Sequence, residues 1–218
     1  MGKISSHHIK QAEVYTRPIY ERDHSGHDWD HIQRVRKTAL FLCQENPKAD
    51  KAAIELIALL HDIGDPKIHN SSELGKKALQ LAIDHLSLNS ESKQELRDAI
   101  HSISFNGGHE KKLPSIEASY VRDADRLDAM GAIGVARAFV YSGHKGTKMF
   151  DDQSSFRTAM TEAEYRLQPS TPIHHFYEKL FKLKDLMVTE EGKKLAQERH
   201  QFMEAFVSQF LKEWNGQS

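Results

Sequence analysis

The pair His61-Asp62 stands at the end of an apolar stretch, where an imidazole and a carboxylate are both expected to be buried. Burying them costs several kcal/mol of desolvation unless something compensates, and a divalent cation compensates both groups at once. In the alternative interpretation, His61 is hydrogen-bonded to a nearby backbone group and Asp62 caps the next turn. The dipeptide alone does not choose between these two interpretations.

Two further segments contain histidine or aspartate side chains, which are common metal ligands. His27 and His31 lie upstream, four residues apart, and the segment 122–128 downstream carries three aspartates. Imidazole and carboxylate ligands from separate helices of one bundle can converge on a metal in its core. The acidic residues after Gly26 predict a helix that begins near Asp30, so His31 is the better ligand of the two histidines.

The ordered set His31, His61-Asp62 and Asp125 resembles the H…HD…D signature of the HD superfamily of metal-dependent phosphohydrolases. The resemblance extends over roughly residues 25–212. Five further segments are similar to a bacterial subgroup of small HD hydrolases: His27-Asp28, His101-Ser102, 123–127, 131–137 and His175-Phe176.

This resemblance implies that His31, His61, Asp62 and Asp125 ligate a divalent metal and leave coordination positions open for water and a phosphoryl oxygen. The mixed imidazole and carboxylate set suits Mn, Fe, Co, Ni or Zn better than Mg, although Mg stays among the candidates.

The choice among the aspartates of 122–128 rests on motif context, because helical periodicity does not distinguish Asp123, Asp125 and Asp128. The sequence Ala-Asp-Arg-Leu favours Asp125 as the ligand. Asp123 and His27 are expected to orient the ligating groups through hydrogen bonds. Asp128 is interpreted more simply as a surface charge.

Several side chains are candidates for contacting the substrate. Arginine suits phosphate because its planar guanidinium pairs with two oxygens and stays charged; a structural ion pair is the equal alternative. Asp62 and Asp65 are candidates for the catalytic role of orienting the attacking water. The candidates for binding phosphate are Arg34, Lys67, His101, Arg126 and His175.

The leading functional hypothesis is hydrolysis of a nucleotide or another small phosphate ester by a metal-activated water. A di-iron oxygenase of the HD type is an alternative, and its two extra histidines would be His85 and His101. His85 departs from the subgroup pattern and is more simply structural or exposed. A second alternative is a module that binds a nucleotide without turnover, with the segment 142–173 as a clamp.

The elements that must position these residues are predicted to be helices, because helical periodicity recurs while strand-like alternation is weak. We expect an all-α, single-domain helical bundle of the HD type over 1–218, with a catalytic core at about 20–140 and a mobile loop at about 142–173. The predicted helices are 31–45, 50–62 with Asp50 as N-cap, about 73–87 after Ser71 or Ser72, about 92–104 with Ser92 starting a capping box, 118–141, a short one around 156–166, and 174–214 with a break near 189–192.

The amino-acid composition argues against several classes of function. The 218 residues include 14 histidines but one cysteine, Cys43, which excludes an internal disulfide and a thiolate zinc cage. A formal net charge of −1 gives no general case for nucleic acid or an anionic membrane as a partner. We expect a cytoplasmic protein whose partner is a nucleotide or small phosphorylated metabolite, with a homodimer left open. His174 precedes His175, and either could face the site where a helix begins. The other seven histidines stand among polar residues and are expected to be solvated: His7, His8, His24, His69, His109, His144 and His200.

Overall fold

The computed structural model describes residues 4–23, 26–69, 71–105, 110–158, 160–161, 164, 168 and 170–217. This described part is helical and contains no strand, which confirms the all-α prediction. The helices are α1 (Ser6–Tyr20), α2 (Trp29–Leu42), α3 (Lys51–Leu60), α4 (Pro66–His69), α5 (Ser72–Asp84), α6 (Ser90–His101), α7 (Ile116–Asp128), α8 (Gly131–Lys145), α9 (Pro172–Glu178), a 3₁₀ helix (Leu180–Leu186) and α10 (Glu190–Trp214).

The chain divides into two compact units. The first comprises Met1–Phe105 and Glu110–Ala124, and the second comprises Asn106–His109 and Asp125–Ser218. Helix α7 is continuous and contributes residues to both. The expectation of one domain over the whole chain stays a prediction. Among the described helices, none combines the length and the apolar composition that crossing a bilayer requires.

Helix α3 forms the centre of the first unit, as its nearly continuous apolar sequence predicts. Its side chains from Ala53 to Leu60, apart from Glu55, are buried, and α1, α2 and α6 pack against it. The helix begins at the predicted cap, because the Asp50 carboxylate accepts hydrogen bonds from the backbone N–H groups of Ala52 and Ala53. Burial on all sides therefore fixes the position at which α3 ends and His61 follows.

The caps confirm one further predicted helix start and correct another. Ser71 caps α5, since its side chain accepts from the backbone of Leu74. The prediction that Ser92 starts α6 is wrong, because Asn89 is the N-cap and its side chain accepts a hydrogen bond from Ser92 N–H at 2.8 Å. Asparagine caps helices as well as serine does, and the earlier position extends the helix by another turn.

The predicted continuous helix over 118–141 is wrong as well. Helix α7 ends at Asp128 and α8 begins at Gly131, whose φ of 68° lies in the left-handed region that glycine adopts without steric cost. A side chain at this position would also meet Arg199, whose Cγ lies 3.0 Å from the place a Cβ would take. The break therefore depends on a backbone conformation and a close approach that helical periodicity does not reveal.

The segment 142–173, expected to be a loop, begins as helix. Helix α8 continues to Lys145 and ends where Gly146 adopts a left-handed conformation. Five of the eleven residues of the short helix predicted around 156–166 lie outside the described residues, and among the six that are described only Glu164 is helical. In the described part, Phe156 stacks on Tyr177 at a ring distance of 4.6 Å, and Arg157 pairs with Glu178. These contacts attach the segment to α9 within the second unit.

The Arg157–Glu178 pair generates a pH-dependent prediction. The guanidinium holds the carboxylate in a fork, with Nε to Oε1 at 2.8 Å and Nη2 to Oε2 at 2.7 Å. Burial opposes ionisation of Glu178, but hydrogen bonds from Arg157 outweigh it and lower the pKa of the carboxyl from 4.5 to about 2. A lowered pKa stabilises the fold above pH 4.5 and ceases to do so as the pH falls through about 2.

Glu178→Gln is therefore expected to lower the free energy of unfolding by roughly 1–3 kcal/mol at pH 7, because a buried charged group loses its partner. The deficit should shrink as the pH falls from 5 towards 2, measured by urea unfolding at each pH. The matched control is Glu190→Gln, which removes an exposed ion pair with Lys193 and should change stability little. A Glu178 deficit that stays constant with pH would contradict this account.

Candidate metal centre

His31 is held at the N-terminal end of α2. The Asp28 side chain caps this helix by accepting the backbone N–H of His31 at 2.8 Å, so the helix begins one residue earlier than predicted, at Trp29. The His31 side chain is fully buried. His27 precedes the helix, and its backbone N–H donates to the Asp23 carboxylate at 2.9 Å. Local hydrogen bonds to Asp23 and Asp28 thus fix the backbone at both histidines.

His61 and Asp62 directly follow the last residue of α3. His61 Nδ1 donates to the carbonyl oxygen of Ala58 at 2.8 Å, one turn earlier. The backbone hydrogen bonds then shorten, since Ile63 N–H donates to Leu60 and Asp65 N–H donates to Asp62. This tight turn, together with the bond to Ala58, sets the orientation of both side chains.

The carboxylate of Asp62 lies among three imidazoles of the first unit. Its Oδ2 atom is 2.6 Å from His27 Nδ1, 3.2 Å from His31 Nε2 and 3.4 Å from His61 Nε2. Ligand atoms of His27, His31 and Asp62 all lie within 4.8 Å of one another. The structure thus brings together four predicted site residues from separate segments of the chain.

The hydrogen bond made by His61 shows why this arrangement suits a cation. A carbonyl oxygen only accepts, so the bond to Ala58 requires the hydrogen on Nδ1 and turns the Nε2 lone pair of the neutral ring towards Asp62. Two acceptor atoms that face each other in a buried site repel unless a proton or a metal cation is shared between them. A metal-ligating histidine characteristically donates its other ring N–H to a carbonyl in this way. The donor set therefore fits a divalent metal.

The imidazoles keep Asp62 ionised. Burial opposes its charge, but the charges of His61 and His27, with hydrogen bonds from His27 and His31, hold the pKa of this carboxyl well below its usual value. Tyr20 lies close by, and burial followed by the charge of Asp62 raises its pKa well above the usual value. At neutral pH this cluster therefore contains a carboxylate beside a protonated phenol.

Asp65 and Lys67 lie just beyond this cluster, on the turn into α4. The Asp65 carboxylate accepts the backbone N–H of Lys67 at 2.7 Å, which is a local cap. The exposed Lys67 side chain reaches back, and its Nζ lies 3.5 Å from His27 Nε2. His27 thus lies between the Asp62 carboxylate and the Lys67 ammonium, which places a positive charge at the edge of the centre.

The other predicted site residues of the first unit lie on helices α2, α6 and α7. Arg34 is half-buried in α2, one turn after His31, and Asp123 is fully buried in α7. His101 is a mostly exposed residue at the end of α6; partial burial and the charge of Lys111 lower its pKa. His85 is exposed and its ring contacts Tyr15 at 5.3 Å. Within the described residues, neither His101 nor His85 belongs to a group of potential metal ligands.

Three predicted site residues belong to the second unit. Asp125 is half-buried in the last part of α7, and Arg126 beside it is buried, with its guanidinium donating to the Leu186 carbonyl. His175 is half-buried in α9, where its carbonyl accepts from Lys179 N–H. Asp128, predicted to be a surface charge, is instead buried and paired with Arg137 at 2.8 Å.

Three histidines expected to be solvated are buried or half-buried. His8 is half-buried, with Nδ1 at 3.0 Å from the Ser5 hydroxyl and Nε2 at 3.3 Å from Ser87 O. His200 is buried in α10, where Nε2 lies 3.2 Å from Glu204 and the ring meets the edge of Phe181. His69 is half-buried and its Nε2 bonds to Ile63 O at 2.8 Å. His7 and His144 are exposed as expected. The predictions for His24 and His109 lie outside the described residues.

Sequence reasoning missed α1 and the residue that ends it, Tyr20. This tyrosine is fully buried, and its hydroxyl donates to the Leu59 carbonyl at 3.2 Å. A buried tyrosine generally requires a hydrogen-bond partner for its hydroxyl. No local signal indicates that partner, because the two residues are 39 positions apart in the sequence.

Comparisons with known proteins identify the family of this chain. Residues 28–130 match the HD domain family. The chain is 36% identical over 213 residues to the uncharacterized protein YpgQ of Bacillus subtilis, covering 95% of this chain and 96% of YpgQ. The crystal structure of YpgQ in complex with ADP has a TM-score of 0.67 and covers 94% of this chain and 97% of that one, with 31% identity in the superposition.

Two other solved structures are similar over nearly their whole length. A protein of Lactobacillus plantarum has a TM-score of 0.89 and 37% identity, covering 98% of this chain and 100% of that one. An HD-superfamily hydrolase of Bacillus thuringiensis has a TM-score of 0.70 and 40% identity, covering 96% and 97%. The chain therefore belongs to the HD-domain family and has the fold of the HD-superfamily hydrolases.

Proposed function

We propose that this protein is a divalent-metal-dependent phosphohydrolase that acts on a nucleotide or another small phosphate ester. The observation that carries the proposal is the half-buried Asp62 carboxylate, faced by the Nε2 atoms of the buried His31 and His61 at 3.2 and 3.4 Å. A metal bound there would lower the pKa of a coordinated water and neutralise charge on phosphoryl oxygens.

The ligands in this proposal are His31, His61, Asp62 and Asp125. The first three are supported by their geometry in the first unit and by the His61 hydrogen bond to Ala58. Asp125 is proposed because it completes the ordered family signature and lies on α7. His27 would hold Asp62 in place through its 2.6 Å contact, which leaves the carboxylate one preferred orientation.

Nucleotides are proposed as the substrate class on two grounds. The relative YpgQ has been crystallised with ADP, and the exposed Lys67 ammonium lies beside His27, where it would attract a phosphate group. Arg34 is proposed as a second phosphate contact, with His101, Arg126 and His175 as further candidates. Asp65 is proposed to orient the attacking water, with Asp62 beside it.

The described geometry favours this proposal over a di-iron oxygenase. That activity would call on His85 and His101 as extra ligands, whereas His85 contacts Tyr15 and neither belongs to a group of potential ligands among the described residues. An assay of hydrolysis distinguishes this proposal from a module that binds a nucleotide without turnover.

Metal binding should be visible as stabilisation. Adding Mn²⁺ or Zn²⁺ at about 100 times its dissociation constant to chelator-treated protein should add about 2.7 kcal/mol to the unfolding free energy and raise Tm by about 5–10 °C. His61→Ala should abolish this shift, whereas His144→Ala, which changes an exposed histidine of α8, should retain it. The readout is thermal unfolding followed by circular dichroism; equal shifts in both variants would contradict the proposed site.

Hydrolysis should depend on the same residues. With Mn, Fe, Co, Ni, Zn or Mg supplied, the protein should release phosphate or pyrophosphate from at least one member of a panel of nucleotides and generic phosphate esters. Asp62→Asn and His61→Ala should each lower kcat/KM by roughly 100-fold or more, because the charge that stabilises the transition state is lost. Undiminished turnover in these variants, or nucleotide binding with no turnover under any metal, would reject the phosphohydrolase.

Lys67 provides a test of substrate recognition. Lys67→Ala should raise KM roughly tenfold while kcat changes less, because a charge-assisted contact to phosphate is removed without touching the ligands. Lys77→Ala, which changes an exposed lysine on α5, is the matched control and should leave both constants as in the wild type. Steady-state kinetics at fixed ionic strength measure the difference, and an unchanged KM for Lys67→Ala would remove Lys67 from the substrate site.

A further inference from the structure

Tyr20 connects α1 to the turn that carries the candidate ligands. It is the last residue of α1 and is fully buried, and its hydroxyl donates to the Leu59 carbonyl at 3.2 Å. The backbone N–H of Asp62 faces the same hydroxyl oxygen and lowers the pKa of Tyr20 against the larger, opposing effect of burial. One hydroxyl therefore lies against two backbone groups that are three residues apart.

These backbone groups lie at the end of a helix, where carbonyl groups lose their intrahelical partners. Ile63 N–H donates to Leu60 rather than to Leu59, so the chain tightens as α3 ends. The Tyr20 hydroxyl lies between the Leu59 carbonyl and the Asp62 N–H, which a turn of the same kind as that between Leu60 and Ile63 would join directly. It thereby sets the backbone rotation at Asp62, and hence the direction in which this carboxylate leaves the chain.

We propose that Tyr20 is a positioning residue of the metal centre, whose hydroxyl fixes the backbone between Leu59 and Asp62 so that Asp62 Oδ2 meets the imidazoles of His27 and His31. This inference rests on the metal site of the proposed function. The phenol contacts the main chain of Asp62 and acts through it, so its removal should alter the geometry of metal binding as well as stability.

The chain offers a matched control one turn earlier on the same helix. Thr16 is also fully buried, and its hydroxyl donates to the Ala12 carbonyl at 2.9 Å, within α1 itself. Tyr20→Phe and Thr16→Val each remove one buried hydroxyl. Both should lower Tm by a few degrees, about 2–4 °C, but only the first loses a contact to the ligand-bearing turn.

The test is titration of both variants and the wild type with Co²⁺ and Mn²⁺, following heat and the visible absorption of bound Co²⁺. Tyr20→Phe should weaken metal binding at least about tenfold, as loss of groups that support ligands does, and should change the Co²⁺ band. Thr16→Val should match the wild type in both. Wild-type affinity and spectrum in Tyr20→Phe would overturn the positioning role alone, whereas a wild type that binds neither ion would overturn the metal site together with it.

A second measurement applies if Tyr20→Phe does not fold. The six tyrosines of the wild-type chain are replaced by 3-fluorotyrosine, and their ¹⁹F resonances are assigned by single Tyr→Phe variants of the other five. The Tyr20 resonance should shift when Zn²⁺ is added, because its hydroxyl is bonded to the ligand-bearing turn. A resonance that does not respond to Zn²⁺ would overturn the inference.

Discussion

The central constraint in the first unit is a half-buried carboxylate that lies among three imidazoles. Asp62 is ionised in an environment that opposes charge, and it is the positive and hydrogen-bonding character of His27, His31 and His61 that permits this. His61 Nδ1 donates to Ala58 and turns Nε2 towards the carboxylate, so a neutral ring would leave two acceptors facing each other. A shared cation resolves that conflict, and this requirement explains why the surrounding elements hold these four side chains so closely.

Each of these elements positions the centre through a helix end. The Asp28 cap fixes His31 at the start of α2, and the tight turn after α3 presents His61 and Asp62. Helix ends carry backbone groups without intrahelical partners, so they accept side chains such as Tyr20 that tie separate helices together. The fully buried α3 supplies the rigid base for this arrangement.

Local chemistry explains what could be predicted from the sequence. The all-apolar pattern of α3 and the caps at Asp50 and Ser71 follow from interactions within a few residues, and the structure has them where the sequence indicates. The meeting of His31 with His61 and Asp62 was expected from the family resemblance, since spacing alone left it open.

The features that could not be predicted from the sequence depend on tertiary contacts. Gly131 breaks a pattern that reads as one helix, and its surroundings include Arg199, 68 positions later in the sequence. His200 has polar neighbours in sequence but is buried beside Phe181. Tyr20 is distant in sequence from the Leu59 carbonyl that it binds. Only the packed structure shows these partners.

The most direct test of the central claim is an anomalous difference map from crystals of Mn²⁺- or Zn²⁺-loaded protein. The account predicts a single peak about 2.0–2.2 Å from Nε2 of His31, Nε2 of His61 and a carboxylate oxygen of Asp62. A fully loaded crystal with no peak at these atoms, or with its metal bound elsewhere on the chain, would contradict it.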